Sequence, residues 1–563
     1  MFLRTTRRTL SDGTSAEYYQ LAENLWDPAQ KKPVTRIIHN FGRADDDTRD
    51  RLKRLASSIL SKVGAVEEMV KGGDLRLTDS YPYGGFHVLR ALWCRYGLQA
   101  AVQRAALRSG KDMPLEQALF AMVANRLLAP CSKLYCYEQW LAEEVYFPEG
   151  EGLALHHLYH AMDQLETGHA AIEEEVFWQV AGLLNADVDL IFYDTTSLHF
   201  ETDEEDAAPP AKDGKKPPPP PLRKRGKSKN GRGDAPQIVI GLAVTRDGLP
   251  VRCWIFPGNT VDVTTVAKVK ADLRGWKLSR CVFVGDAGMI SANNLVELSR
   301  GGGRYLLAAP VARGDRITTD VIGRAGRFRE IAPNLHIKEV WWPEKDGGER
   351  RRRYVVCFNP EEAGRVQKHR SEVLRQLEAE LSTLRVPSDG HSQRICELRA
   401  TARYKPYLTE TKGGGLSIDK AAIVAMERLD GKWVVTSNDD TLSAEDMALG
   451  YKQLLRVEDC WRTMKSGLEM RPVYHHSPAR IRAHVRLCVL GLLLERIAET
   501  RCKDTWRNIR DDLNQVKVGI LQGADRQIVQ VTEPREPAKK RLAMLEIEPP
   551  PPVLRMQASV AAT

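Results

Sequence analysis

Apolar and polar positions change rhythm several times along the chain. From residue 1 to about 45, short alternating runs such as YYQLAENLW and VTRIIHNFG, broken by turn residues, predict a small β-rich element. From about 80 to 185 the spacing becomes three and four, as in VLRALWCRYGLQAAVQRAAL and PLEQALFAMVANRLLA, which predicts helices. VDLIFYDTTSLHFE then reads as a strand. PQIVIGLAV and PVRCWIFPG flank the turn Arg246-Asp247-Gly248 and predict a β-hairpin. CVFVGDAGMI and YLLAAP add two short strands, with Ser291 placed to cap an intervening helix. Further on, KEVWW, YVVCF and WVVTSNDD read as strands around a charged helix from about 361 to 385. In that helix Leu374, Leu377, Leu381 and Leu384 fall at a/d spacing, as in a helical hairpin or a partner contact. A long helix is expected from Ser443 to about Ser466, followed by the apolar helix IRAHVRLCVLGLLLERIAE.

One stretch breaks every rhythm. Residues 201–234 run through ETDEED, a proline run (Pro217 to Pro221) and LRKRGKSKNGRGD, and are expected to form a disordered loop because no core can be built from them. The boundaries that result are a β-rich element at 1–75, a helical region at 76–185, an α/β core beginning at 186–310, an insertion at 311–445, the rest of the core at 446–500, and a C-terminal element and tail at 501–563.

Composition narrows the class. Hydrophobic residues make up 42% of 563, ordinary for globular cores. No apolar run is long enough to span a bilayer, and no apolar segment follows MFLRTTRRTLSDG, so neither a membrane anchor nor a secretory leader is expected. Ten cysteines without a C-x-x-C pair fit neither a zinc site nor a disulfide framework and point to a reducing cytoplasm. The net charge of +9 is mild, but arginines cluster at Arg351–Arg353 and at Arg471, Arg480, Arg482 and Arg486. They are candidates for phosphate contact, or for a solvated charged face.

Three acids are placed for chemistry. Asp194 and Asp286 stand toward the ends of apolar runs, where a carboxylate is either a turn residue or part of a site at the sheet's edge. On the long helix, steps of about 100° from Tyr451 bring Leu454, Leu455, Glu458, Arg462 and Lys465 onto one face, with Asp459 about 80° away. The alternative for Glu458 is an i,i+4 ion pair with Arg462. His156 and His160 share a helix face but do not make a metal site alone. Gly301–Gly303 lacks the ending of a phosphate loop. Trp341 and Trp342 suit stacking on a base, and strand alternation accounts equally for one of them. His475, His476 and His484 suit DNA contact or satisfied polar packing better than catalysis.

As an ordered set, these residues resemble the DDE transposases of the insertion-sequence four superfamily. Tyr451, Glu458 and Lys465 match the spacing of its Tyr-Arg-Glu-Lys signature, with Leu454 where Arg is usual. Tyr193-Asp194-Thr195-Thr196 resembles the first-Asp motif, Val284 to Gly288 the second, and Pro257 to Asp262 the Pro-Gly-Asn-Thr-x-Asp element. RPVYHHSPARIRAHV is similar to the long, large-insertion branch, the sixteen-thirty-four group.

The resemblance implies an α/β protein with an RNase H-like catalytic core interrupted by a large insertion and preceded by a β-rich and helical, DNA-end-binding region. It implies Asp194, Asp286 and Glu458 as catalytic residues and ligands of Mg²⁺, with Mn²⁺ able to substitute, and Asp194 bridging two ions. It also implies DNA contacts from Tyr451, Arg462, Lys465, Arg471, Arg480 and Arg482. The expected partners are double-stranded DNA, as terminal inverted repeats and target, and a second copy of the chain on paired ends, in a cytoplasmic, nucleoid-associated setting. The rival readings are an RNase H-like nuclease that only hydrolyses and an inactive DNA-binding repressor.

Overall fold

The computed structural model describes residues 2–9, 15–27, 32–45, 48–49, 51–52, 75–109, 113–184, 188–207, 221–229, 231–276, 278, 281–311, 317–343, 351–384, 391–411, 415–523 and 526–558. The chain divides into two compact units, one of residues 1–185 with 462–563 and one of residues 186–461.

The first unit begins with an antiparallel meander of β1 (Phe2–Thr9), β2 (Ser15–Asp27) and β3 (Lys32–Arg43). Strand β4 (Arg76–Pro82) leads into α1 (Gly84–Arg95), α2 (Leu98–Ser109), α3 (Leu115–Leu128) and the long α4 (Leu155–Leu184). Helix α3 is largely apolar and buried along most of its length. Its one buried acid, Glu116, is held by Arg90 and by the Trp93 indole N–H at 2.8 Å.

The second unit is built on a nine-stranded sheet. Strands β5 (Leu190–His199), β6 (Gln237–Val244) and β7 (Pro250–Pro257) form an antiparallel meander. Gly248 makes the β6–β7 turn with φ 78°, a value that favours glycine. Helix α5 (Asp262–Gly275) then crosses to β8 (Val282–Gly285), and α6 (Ala292–Ser299) to β9 (Arg304–Ala309). β8 lies parallel to β5, and β9 parallel to β8. The order β7-β6-β5-β8-β9, with only the first three strands antiparallel, is the expected RNase H-like core.

The insertion does not stand apart as its own domain. β10 (Arg329–Ala332), β11 (Leu335–Pro343) and β12 (Arg351–Phe358), with β15 (Lys432–Ser437), extend the core sheet in the order β10-β11-β12-β15-β9. The edge of β9 is thereby covered by an antiparallel partner instead of being left bare. Between β12 and β15, α7 (Pro360–Thr383) and α8 (His391–Ala400) pack with the small hairpin of β13 (Leu408–Glu410) and β14 (Leu416–Ile418), followed by α9 (Lys420–Glu427). Leu377, Leu381 and Leu384 pack in this cluster with Leu398 and Tyr404, so the leucine spacing serves a helical hairpin.

The long helix expected from 443 to 466 is broken. α10 (Ala444–Lys452) opens with a Ser443–Asp446 capping box, and α11 (Leu455–Arg462) follows after a tightened turn. In that turn Leu454 N bonds to Tyr451 O and Val457 N to Leu454 O, one residue tighter than α-helical bonding.

The chain then returns to the first unit. α12 (Pro478–Cys502) packs against α3 and α4. The stretch expected as a C-terminal element and tail holds α13 (Trp506–Leu513), β16 (Lys517–Gln522), β17 (Arg526–Val531), α14 (Glu536–Met544) and β18 (Val553–Ala558). The last three strands join β4 in the antiparallel sheet β18-β17-β16-β4. The prolines there are compatible with this order, since Pro537 sits in the first turn of α14, where no N–H is needed, and residues 549–552 connect to an edge strand. Among the described residues, no helix is long and apolar enough to cross a membrane.

Candidate active site

The parallel register of β5 and β8 sets the site. Phe192 lies opposite Val284, so two residues further along both strands Asp194 comes level with Asp286. Asp194 remains in strand, paired across to Leu242. Asp286 has left it and caps a short turn, its Oδ1 accepting from Gly288 N at 3.0 Å. A Cβ on Gly288 would stand 3.3 Å from Asp286 Oδ1 and 3.7 Å from Asp262 Oδ2. The residue between those two acids therefore has no side chain.

Asp262, the first residue of α5, is the acid that sequence reasoning did not place in the site. Thr195 Oγ1 donates to its Oδ1. Tyr193 orients the helix start from below, its hydroxyl donating to Thr265 Oγ1 at 2.9 Å, and Gly241 leaves room for that ring. The second residue missed is Lys229. Its Nζ lies 3.0 Å from Asp262 Oδ2 and 3.6 Å from Asp194 Oδ1, and donates to Thr195 O and Oγ1 at 2.8 and 2.7 Å. Its backbone N–H donates to Ser197 Oγ at 2.9 Å.

Lys229 belongs to the stretch expected to be disordered. The described parts of that stretch are held in place: Asp206 accepts from Leu222 N, Arg223 N and Arg223 Nε, Lys224 bridges to Gln237, and Leu222 is fully buried. The acidic and basic runs neutralise each other across the segment, which composition alone does not reveal. Lys212, Lys215, Lys216 and Pro217–Pro220 lie outside the described residues.

Electrostatics bind the set together. Burial pushes the Asp194 carboxyl up to about 6; the Lys229 ammonium opposes this, and the charges of Asp286 and Asp262 add to it. Burial likewise raises Asp286, with Lys229 opposing and Asp262 adding. Burial disfavours the Lys229 ammonium, yet Asp194 and Asp262 hold it above its ordinary value. The Tyr451 phenol is raised by burial and then by the charges of Asp286, Glu458 and Asp194, so Glu458 and both aspartates act on one hydroxyl. Glu458 itself is exposed on α11.

Crowded, partly desolvated carboxylates require positive charge, and an all-oxygen donor set is what a hard divalent cation takes. Asp194, Asp286 and Glu458 fit that need chemically. They are not drawn into a closed cage: among the described residues, no group of three or more His, Cys, Asp or Glu side chains is gathered that closely.

The other expected residues are dispersed. Arg462 ends α11 and Lys465 lies in the π-helical turn Thr463–Gly467. Arg471 is exposed. Arg480 pairs with Asp163 at 3.1 Å and lies over the Tyr159 ring at 4.8 Å, while Arg482 reaches Glu166 at 4.0 Å. These two arginines are thus engaged with α4 in the structure as it stands. Arg353 is buried against Glu339. Trp341 is exposed and Trp342 packs into the core beside Val340 and Val356, as strand alternation requires.

Residues 189–494 match the transposase DDE domain family, more than half of the chain, and residues 3–68 match the N-terminal domain of IS1634 family transposases. The chain belongs to the DDE transposases of the IS1634 family, and is a DNA transposase. DDE domains typically use divalent metal ions. A search of curated proteins gives no match. Among solved structures, a piggyBac transposase synaptic complex with hairpin DNA is similar over 77% of this chain and 79% of that one, at 8% identity and a TM-score of 0.36.

Proposed function

We propose that this transposase cuts the ends of its insertion sequence and joins them to target DNA, using Asp194, Asp286 and Glu458 as the ligands of Mg²⁺, for which Mn²⁺ can substitute. The observation that carries the reading is the β5–β8 register, which sets two carboxylates side by side at the edge of a buried parallel pair. Bound divalent ions would activate the attacking oxygen and stabilise the leaving oxygen of an in-line displacement at phosphorus. Asp194, inside the strand and flanked by Asp286 and Asp262, is assigned as the bridging ligand. Lys229 supplies countercharge to Asp194 and Asp262 and holds their carboxylates in orientation. Tyr451 and Lys465 position phosphate near the donor end. With water as the nucleophile the reaction is cleavage; with a DNA 3′-hydroxyl it is joining. The chain acts as a homodimer on paired terminal inverted repeats, in the cytoplasm on nucleoid DNA.

The test is substitution at the acids. Asp194→Asn and Asp286→Asn should each abolish cleavage of element ends while end binding stays nearly intact, because phosphate contacts made elsewhere are untouched. Cleavage above a few per cent of the wild-type rate in either variant refutes the ligand assignment. Strand-transfer products from pre-cut ends distinguish the joining reaction from hydrolysis alone.

A further inference from the structure

The unit made of residues 1–185 and 462–563 contains buried positive charge at Arg126 and Lys133, for which no salt bridge to a carboxylate is formed among the described residues. Arg126 on α3 is 3% exposed and Lys133 is 4% exposed. Arg126 Nη1 donates to the carbonyls of Leu468 at 3.4 Å and Glu469 at 3.1 Å, but Arg126 Nε and Lys133 Nζ have no hydrogen-bond partner among the described residues. The largest charge effects on Lys133 come from Arg126 and from the thiols of Cys136, Cys488 and Cys131. Such a pair is strongly disfavoured unless a counter-ion joins it.

There is space for one. A cavity of about 70 Å³ is lined by Arg126, Ser132, Lys133 and His484, with the exposed Glu469 also on its wall, and reaches Tyr474, which is 66% exposed. That exceeds the volume of one water. Ser132 Oγ accepts from Tyr135 N at 3.1 Å, so its hydroxyl hydrogen remains available to donate. His484 Nε2 meets the Met470 carbonyl at 2.9 Å, and its Nδ1 has no hydrogen-bond partner among the described residues. Burial, then repulsion by Lys133 and by Arg126, keeps the His484 imidazole well below its ordinary value. The same causes, with Arg480 acting between Lys133 and Arg126, take His475 down to about 4. Both rings are neutral near pH 7, so the positive charge is that of Lys133 and Arg126. Burial brings Lys133 down to about 8, still largely protonated at pH 7.

We propose that this pocket binds a single phosphate group, with the Lys133 ammonium, Arg126 Nε–H and the Ser132 hydroxyl as donors. The group is either a backbone phosphodiester of bound DNA or free inorganic phosphate, which share that chemistry. The rival counter-charge is the Cys131 thiolate. Its thiol is drawn down to about 7 by its contact with Cys136, with burial opposing and Asn125 assisting.

The full-length protein is titrated with inorganic phosphate at constant ionic strength and its Tm followed, for the wild type, Lys133→Met and Lys133→Arg. The salt slope of DNA binding is measured on the same proteins. A phosphate site raises the wild-type Tm in a saturable way. It leaves Lys133→Met unresponsive, and Lys133→Arg, which keeps the charge, partly responsive. If the natural ligand is DNA, Lys133→Met also lowers the salt slope by about 0.9, the loss of one phosphate contact. An unchanged slope with the Tm response intact assigns the site to free phosphate. The proposal fails if the wild type shows no saturable Tm response and the slope is unchanged. It fails equally if Lys133→Met responds as the wild type does, which would leave the Cys131 thiolate as the counter-charge. Should Lys133→Met not fold, the wild-type titration together with Lys133→Arg still decides.

Discussion

Lys229 shows how one side chain can organise several others. Three carboxylates, Asp194, Asp262 and Asp286, feel its charge, and it also ties Thr195 and Ser197 to the loop before β6. Removing it leaves the acids to repel one another. Lys229→Met should therefore lower cleavage at least about tenfold, as loss of a positioned charge does, and destabilise the metal-free protein. Mn²⁺ should then raise the Tm of the variant more than that of the wild type, because an added cation replaces the missing one. Equal Mn²⁺ responses in thermal melts would show that Lys229 carries no countercharge role.

A second residue makes a pH-dependent signature. Glu495 on α12 is 7% exposed, and burial, reinforced by Glu499, pushes its carboxyl up to about 8 from the ordinary 4.5. Between those values the folded protein keeps a proton that the unfolded chain has released, so stability falls as pH rises from about 4.5 to about 8. Glu495→Gln, neutral throughout, should gain about 1–3 kcal/mol over the wild type at pH 8 and little at pH 5. Urea midpoints at the two pH values measure it. A gain that is the same at both would mean that Glu495 is charged in the folded state.

At the scale of elements, the break at residues 453–454 qualifies the reading of the Glu helix. A single 100° phase from Tyr451 to Lys465 assumes one unbroken α-helix, whereas tightened bonds intervene before α11 and a π-helical turn follows it. No sequence signal marks this: Gln453 and Leu454 are ordinary helix formers. Even so, Glu458 acts on the Tyr451 hydroxyl beside the two aspartates. Glu458→Gln should therefore remove cleavage and Asp459→Asn should keep most of it, with end binding retained in both. Relative cleavage at saturating Mg²⁺ is the measurement, and the opposite pattern would overturn the assignment. The strands were more legible. Asp194 and Asp286 stood out because carboxylates after runs as apolar as LIFY and VFV are conspicuous, and the β6–β7 hairpin because Asp-Gly marks its turn. Lys229 and Asp262 were not found as site residues. A lysine in a charged, Gly-rich segment and an aspartate at a helix start each have ordinary explanations until a tertiary contact picks them out.

For the whole molecule, local pattern gave the elements but not their partners. The RNase H-like order was legible through motifs around Asp194 and Asp286. That the insertion's strands would extend the same sheet, and that residues 517–558 would form a sheet with β4, depends on pairings between distant segments that no local pattern encodes. The fragment of residues 1–185 is expected to show no cooperative thermal transition by circular dichroism, because α3 and α4 lack α12 and β4 lacks β16. A cooperative melt with end binding intact would show those pairings to be dispensable.

The pairing of β4 with β16 also bears on how the element's copies compete. While the chain is being made, the first helices leave the ribosome roughly 300 residues before their partner α12, so they must wait until translation is almost complete. A degenerate copy with an early stop codon would then yield no stable end-binding fragment. Such copies could accumulate in a genome without producing a dominant-negative inhibitor of the intact ones.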